Sequence, residues 1–233
     1  MADPLEFKYE FRFPDSTEAC FDVRLDPLTL EPVDQNKDSP PDWTRLEFLQ
    51  CVNCPWTEDK HRYCPLARNL VSIVATFSEF ASYEKIDVVV STPDRKIEHP
   101  DETIQRATSS LIGLIMATSG CPNTDFLKPM ARFHLPFANR DETIYRAASM
   151  YLLGQYFRSL TDKAPDWNLA GLRSRYENLQ QVNLWMVKRL RTASQNDATV
   201  NAVVILDMLA KMMPYSIEDA LEDCRHLFVD YMR

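Results

Sequence analysis

Glycine is nearly missing from this chain. It has 233 residues and four glycines, Gly113, Gly120, Gly154 and Gly171. Average usage would give roughly sixteen. The first 112 residues have none. Glycine lets a backbone approach a phosphate closely or turn with positive φ. A dinucleotide fingerprint, a Walker A loop and a G-x-S-x-G elbow each need clustered glycines, so all three are excluded. Long apolar runs are missing too. The longest uncharged stretch, Ala107 to Thr124, is 18 residues. It is interrupted by Ser, Thr and a Gly-Cys-Pro, which suits a buried helix and not a membrane span. Basic charge is also short. The net charge is −8, of which residues 1–50 carry −7, from 5 Lys/Arg against 12 Asp/Glu. With no basic stripe, no nucleic-acid partner is expected. Met1-Ala2-Asp3-Pro4 leads into an alternating segment and not an apolar leader, so a cytoplasmic location is the expectation.

The rest is the composition of a folded protein, 45% apolar and 26% charged. Leu5, Phe7, Tyr9, Phe11 and Phe13 alternate with Glu6, Lys8, Glu10 and Arg12, the period of a strand wet on one face. Phe21, Val23 and Leu25 repeat the pattern after a Pro-Asp-Ser-Thr turn, predicting an antiparallel pair. Residues 34–42 read as a loop, Thr44 to Gln50 as a further strand, and Ile86 to Ser91 as a strand buried on both faces. Beyond these the pattern is helical, over Leu66–Phe80, 101–118, 141–160, a seam from Leu169 to Leu190, Ala198–Met212, and a separate last helix over Ser216–Tyr231 opened by S-x-x-D. Asn183 stands on the seam, where a packing-register role is the ordinary reading. Lys188-Arg189-Leu190-Arg191 reads as a solvated helix end, and Gly154 as a point of close helix packing. The expected fold is α+β: a small N-terminal antiparallel sheet on a C-terminal helical bundle. Its segments are 1–50 (sheet), 51–65 (Cys-rich) and 66–233 (mainly helical).

Asp101-Glu102-Thr103-Ile104-Gln105-Arg106-Ala107-Thr108-Ser109 recurs forty residues later as Asp141-Glu142-Thr143-Ile144-Tyr145-Arg146-Ala147-Ala148-Ser149. The plain reading is two capped helices, with His99 or Asn139 as N-cap and Glu102–Arg106 and Glu142–Arg146 as i,i+4 pairs. The functional reading has Arg106 and Arg146 converge, with Arg132 and His134, on a small anionic ligand.

Six cysteines are present, four in a telling arrangement. Cys51 and Cys54 form a C-x2-C, whose spacing lets two sulfurs grip one metal from a turn. Cys64 follows, with His61 three residues before it, and Cys121 comes much later. Cys54, Cys64 and Cys121 each precede proline. Pro65 suits N1 of the next helix, which makes Cys64 its N-cap and favours a thiolate. Gly120 suits the end of a helix, which places Cys121 at a terminus. The candidate ligands are Cys51, Cys54, Cys64 and Cys121, with His61 as the alternative fourth. Zinc is the favoured metal and a 4Fe–4S cluster the competitor, since Cys-Pro also occurs in ferredoxin-type runs. Packed thiols without metal are the third option. Cys20 and Cys224 read as ordinary packed thiols.

Several stretches together resemble a family of uncharacterised bacterial proteins, a domain of unknown function. They are Tyr9 to Asp15, Leu25 to Leu30, the Cys-Pro segment, Ser119 to Pro122 and Pro129 to Phe137. The resemblance spans nearly the whole chain, implies no activity, and supports grouping Cys121 with the earlier three cysteines. The expected function is a metal-binding regulatory or adaptor module with a protein partner, and not an enzyme. An iron–sulfur redox or sensor protein is the second reading. An enzyme built on the Arg106, Arg132, His134 and Arg146 pocket is the third.

Overall fold

The computed structural model describes residues 3–34 and 39–233. Residues 35–38 of the expected 34–42 loop lie outside them. The alternating N-terminal segment forms β1 (Leu5–Arg12), antiparallel to β2 (Glu18–Leu25) with Tyr9 opposite Phe21. Their turn is made without glycine. Ser16 takes φ 68°, and the Asp15 carboxylate accepts from the Thr17 N–H at 2.9 Å. β3 (Lys85–Thr92) pairs with the other edge of β1, and β4 (Arg95–Thr103) pairs with β3. The sheet order is therefore β2-β1-β3-β4. Two of its four strands come from residues past the Cys-rich segment. β3 is inside the sheet, with Val88, Val89 and Val90 all buried, as its unbroken β-branched run implies.

One face of the sheet buries Phe7, Tyr9 and Phe11; the other carries ion pairs such as Lys8–Glu10 and Lys96–Glu98. α1 (Pro65–Asn69) and α2 (Val71–Phe77) cover the aromatic face, where Phe77 meets Phe11 edge-on at 5.0 Å. α3 (Ile104–Thr118) follows β4 directly. A short α4 (Lys128–Arg132) leads to α5 (Arg140–Ser159), α6 (Ala170–Ala193) and α7 (Ala198–Cys224). α7 packs along α6, α3 and α5, so it is the spine of the helical part. Among the described residues no helix is long and apolar enough to cross a membrane. The fold is α+β, as its patterns indicate.

Three local expectations are corrected. Thr44 to Gln50 is not a strand but a 3-10 turn (Asp42–Thr44) followed by a single bridge, Arg45 to Tyr63. Its carbonyls are taken by a side chain, described below, and not by a neighbouring strand. The last helix is not separate, because α7 runs through Pro214 to Cys224 and ends in a 3-10 stretch (Arg225–Tyr231). The close-packed glycine is Gly171 and not Gly154. A Cβ at Gly171 would run into the Tyr151 hydroxyl, while one at Gly154 would meet open space.

The scarcity of glycine has a backbone consequence. Leu30, Leu49, Phe137 and Leu169 all have φ between 47° and 60°. In that region a bulky side chain costs roughly 1–2 kcal/mol per residue. Tertiary contacts have to hold these turns.

Candidate functional site

The Cys-rich segment is assembled from three pieces of chain. At the first, the Cys54 N–H donates to the Cys51 carbonyl at 3.0 Å, closing the C-x2-C turn. Cys64 is the N-cap of α1 with Pro65 at N1, as its sequence suggested. The Leu66 and Ala67 amides favour its thiolate, though they close no cap hydrogen bond. Cys121 lies just past the end of α3, where Gly120 turns the chain at φ 81°. The Asn123 and Thr124 groups beside it also favour a thiolate. The third piece is tied to the first, since Asn123 Nδ2 donates to the Asn53 carbonyl at 3.1 Å. Asn53 in turn donates to the Asn178 carbonyl on α6 at 3.0 Å.

These links bring Cys51, Cys54, Cys64 and Cys121 into one electrostatic neighbourhood. Burial is the main cause that pushes the Cys51 thiol up to about 12, and nearby Cys64, Cys121 and Cys54 add to it. Burial likewise pushes Cys121 up to about 11, with Cys64 and Cys54 adding, and raises Cys64. All six cysteines are free thiols. Among the described residues no three His, Cys, Asp or Glu side chains stand close enough together to hold a metal ion. His61 stacks face to face on Trp56, with ring centres 3.7 Å apart. Cys20 is exposed on the edge strand β2, and so is not the packed thiol expected; Cys224 is half-buried in α7.

A residue read as solvated proves central. Arg189, on α6, is 2% exposed. Its Nη1 donates to the Trp43 and Arg45 carbonyls at 2.7 Å each, and its Nη2 to those of Leu46 and Leu49 at 3.4 Å. The guanidinium thus replaces the missing strand partner of residues 43–49 and braces the strained Leu49 just before Cys51. Its positive charge also acts on Cys51 and Cys64, lowering both. The available signal was its place three residues after Met186 on the buried face of α6. Lys188 and Arg191 beside it are exposed, as read.

The second group separates. His134, Arg106 and Arg146 line a cavity of about 210 Å³ between α3, the loop after α4, α5, α6 and α7. Arg132 is not among the lining residues; it is exposed and lies over the Phe133 ring. Arg106 keeps the expected pair with Glu102 at 2.9 Å. Arg146 instead donates to the Met130 and Phe133 carbonyls at 3.0 and 2.6 Å. His134 Nε2 is hydrogen-bonded to the Tyr9 hydroxyl, which also meets Ser110 Oγ at 2.9 Å. Burial, with the Arg146 charge, pulls His134 down to about 3, so the ring is neutral.

The class these features define is an α+β protein with a helical spine and four half-buried cysteines drawn from three chain segments. The chain belongs to the family described as a domain of unknown function (DUF6901), whose model covers residues 7–229. Comparisons with curated proteins and with solved structures find no match.

Proposed function

We propose that Cys51, Cys54, Cys64 and Cys121 hold one zinc ion, and that the protein is a cytoplasmic, metal-stabilised regulatory or adaptor module and not an enzyme. What supports this reading is that four free thiols from three chain segments act on one another electrostatically beside the buried Arg189. The donor set suits zinc: a C-x2-C turn supplies two sulfurs, and two helix termini supply the others. Bound metal deprotonates coordinating thiols outright. That would offset the burial that raises the Cys51, Cys64 and Cys121 thiols, and the net negative charge of a four-thiolate zinc site would face the Arg189 cation. Ligation asks the four sulfurs to close further on the ion. Four thiolates leave no open coordination position, so the metal would staple structure and not perform chemistry.

Metal analysis of anaerobically purified full-length protein tests this. The expected result is one zinc per chain in colourless protein, lost in Cys54→Ser and in Cys121→Ser. A brown protein absorbing at about 400 nm would assign the same cysteines to an iron–sulfur cluster instead. Metal-free protein from both zinc-replete and iron-replete growth would overturn the metal reading.

A further inference from the structure

Asn183 is fully buried on α6, and neither its Oδ1 nor its Nδ2 has a hydrogen-bond partner. A seam asparagine that sets helix register does so by pairing, and this one is unpaired. Buried amides without partners are rare enough to need a cause. The side chain lines the cavity of about 210 Å³, together with Tyr176 and Leu179 from the same face of α6. A cavity of roughly 150 Å³ admits benzene, so this one has room for a substituted ring.

The walls are mostly carbon, with Leu114, Met116, Leu179, Leu206 and Leu209 prominent. The polar points are few. His134 is neutral and already bonded to Tyr9, and Arg106 is tied to Glu102. Arg146 is the cation left. Its Nη2 is engaged with main-chain carbonyls, and burial disfavours its charge. It acts on Tyr176, seven residues from Asn183 and so about 10 Å along the helix. A mostly apolar chamber thus has among its lining groups the half-buried Arg146 cation and the unsatisfied Asn183 amide, the latter about two helical turns along α6 from the Tyr176 on which Arg146 acts.

We propose that this cavity binds a small ring-sized molecule bearing a carboxylate, which meets Arg146, and a hydroxyl or carbonyl at the far end, which meets Asn183. The site is separate from the cysteine cluster and does not depend on what that cluster holds. Few convergent polar groups in an apolar pocket are the usual make-up of a small-molecule site.

Calorimetric or NMR titration of the full chain with 4-hydroxybenzoate, benzoate and 4-cresol tests this directly. Saturable binding of 4-hydroxybenzoate is expected, with benzoate and 4-cresol each about tenfold weaker for the polar group they lack. In Asn183→Leu the preference for 4-hydroxybenzoate over benzoate should vanish while benzoate still binds. In Arg146→Gln the preference over 4-cresol should vanish. Should Arg146→Gln fail to fold, because two carbonyls lose their donor, the Asn183→Leu arm decides alone. No saturable binding of 4-hydroxybenzoate to the wild type, or an unchanged preference in Asn183→Leu, overturns the proposal.

Discussion

Arg189 puts a charge where its neighbours on α6 put Met186, Val187 and Leu190. It is held there by four carbonyls, and hydrogen bonds to charged groups are worth roughly 1.5–3 kcal/mol each when a partner is lost. Arg189→Met keeps the length and removes every donor. It is expected to destabilise the fold by about 3 kcal/mol in urea titration, with Arg189→Lys intermediate because an ammonium lacks the planar fork. His134 gives a second test at this scale. The unfolded chain takes up a proton on this ring near pH 6.5, which the folded chain refuses until about pH 3. Its contribution is therefore whole above pH 6.5 and is lost as pH falls through that window, at up to about 1.4 kcal/mol per unit. Denaturant melts of His134→Gln between pH 7 and pH 4 should show a flatter fall than the wild type. An identical slope would mean the ring is not held neutral.

The repeated nonapeptide shows how one sequence serves two elements. In the second copy, Asn139 caps α5, accepting from the Glu142 N–H at 2.9 Å while Glu142 reaches back to the Asn139 N–H at 2.7 Å. In the first copy, Asp101, Glu102 and Thr103 are the end of β4, and α3 starts only at Ile104. Its N-cap is Thr103, not His99, and the Thr103 side chain makes no cap bond. Glu102 is 7% exposed there and is shared between Arg106 and His99. The difference comes from what precedes each copy. Asn139 follows a loop and can close a capping box, whereas residues 95–99 are already paired to β3. Asn139→Ala should cost about 1 kcal/mol of stability in thermal or urea unfolding, and Thr103→Ala clearly less. Equal losses would contradict the assignment of the two helix starts.

At the scale of the whole molecule, β1 is interior, with β2 on one side and β3 on the other. β3 and β4 come after the Cys-rich segment in the chain, so the sheet cannot form from residues 1–50 alone, nor close without them. A fragment of residues 66–233 would expose the β1-pairing edge of β3 and the aromatic surface of α2. It is expected to aggregate or lack a cooperative melt by circular dichroism. A soluble fragment with a sharp melt would show the helical part to be autonomous.

The elements with strong periodicity were legible before any coordinates. The alternation from Leu5 to Phe13 specifies a half-wet strand, the β-branched run at Ile86–Ser91 a buried one, and the Leu169–Leu190 seam a long helix, because each needs only local spacing. The helix-terminal settings of Cys64 and Cys121 were legible for the same reason, through Pro65 and Gly120. The partners across the chain were not. That Arg189 takes the carbonyls of residues 43–49, that Arg132 turns away while Arg146 grips a loop, and that Asn183 faces a cavity without a partner are all long-range facts. Sequence spacing carries the period of an element and the chemistry of its ends. Only the packing of α6 and α7 against distant segments decides which buried polar groups are satisfied and which are left without a partner.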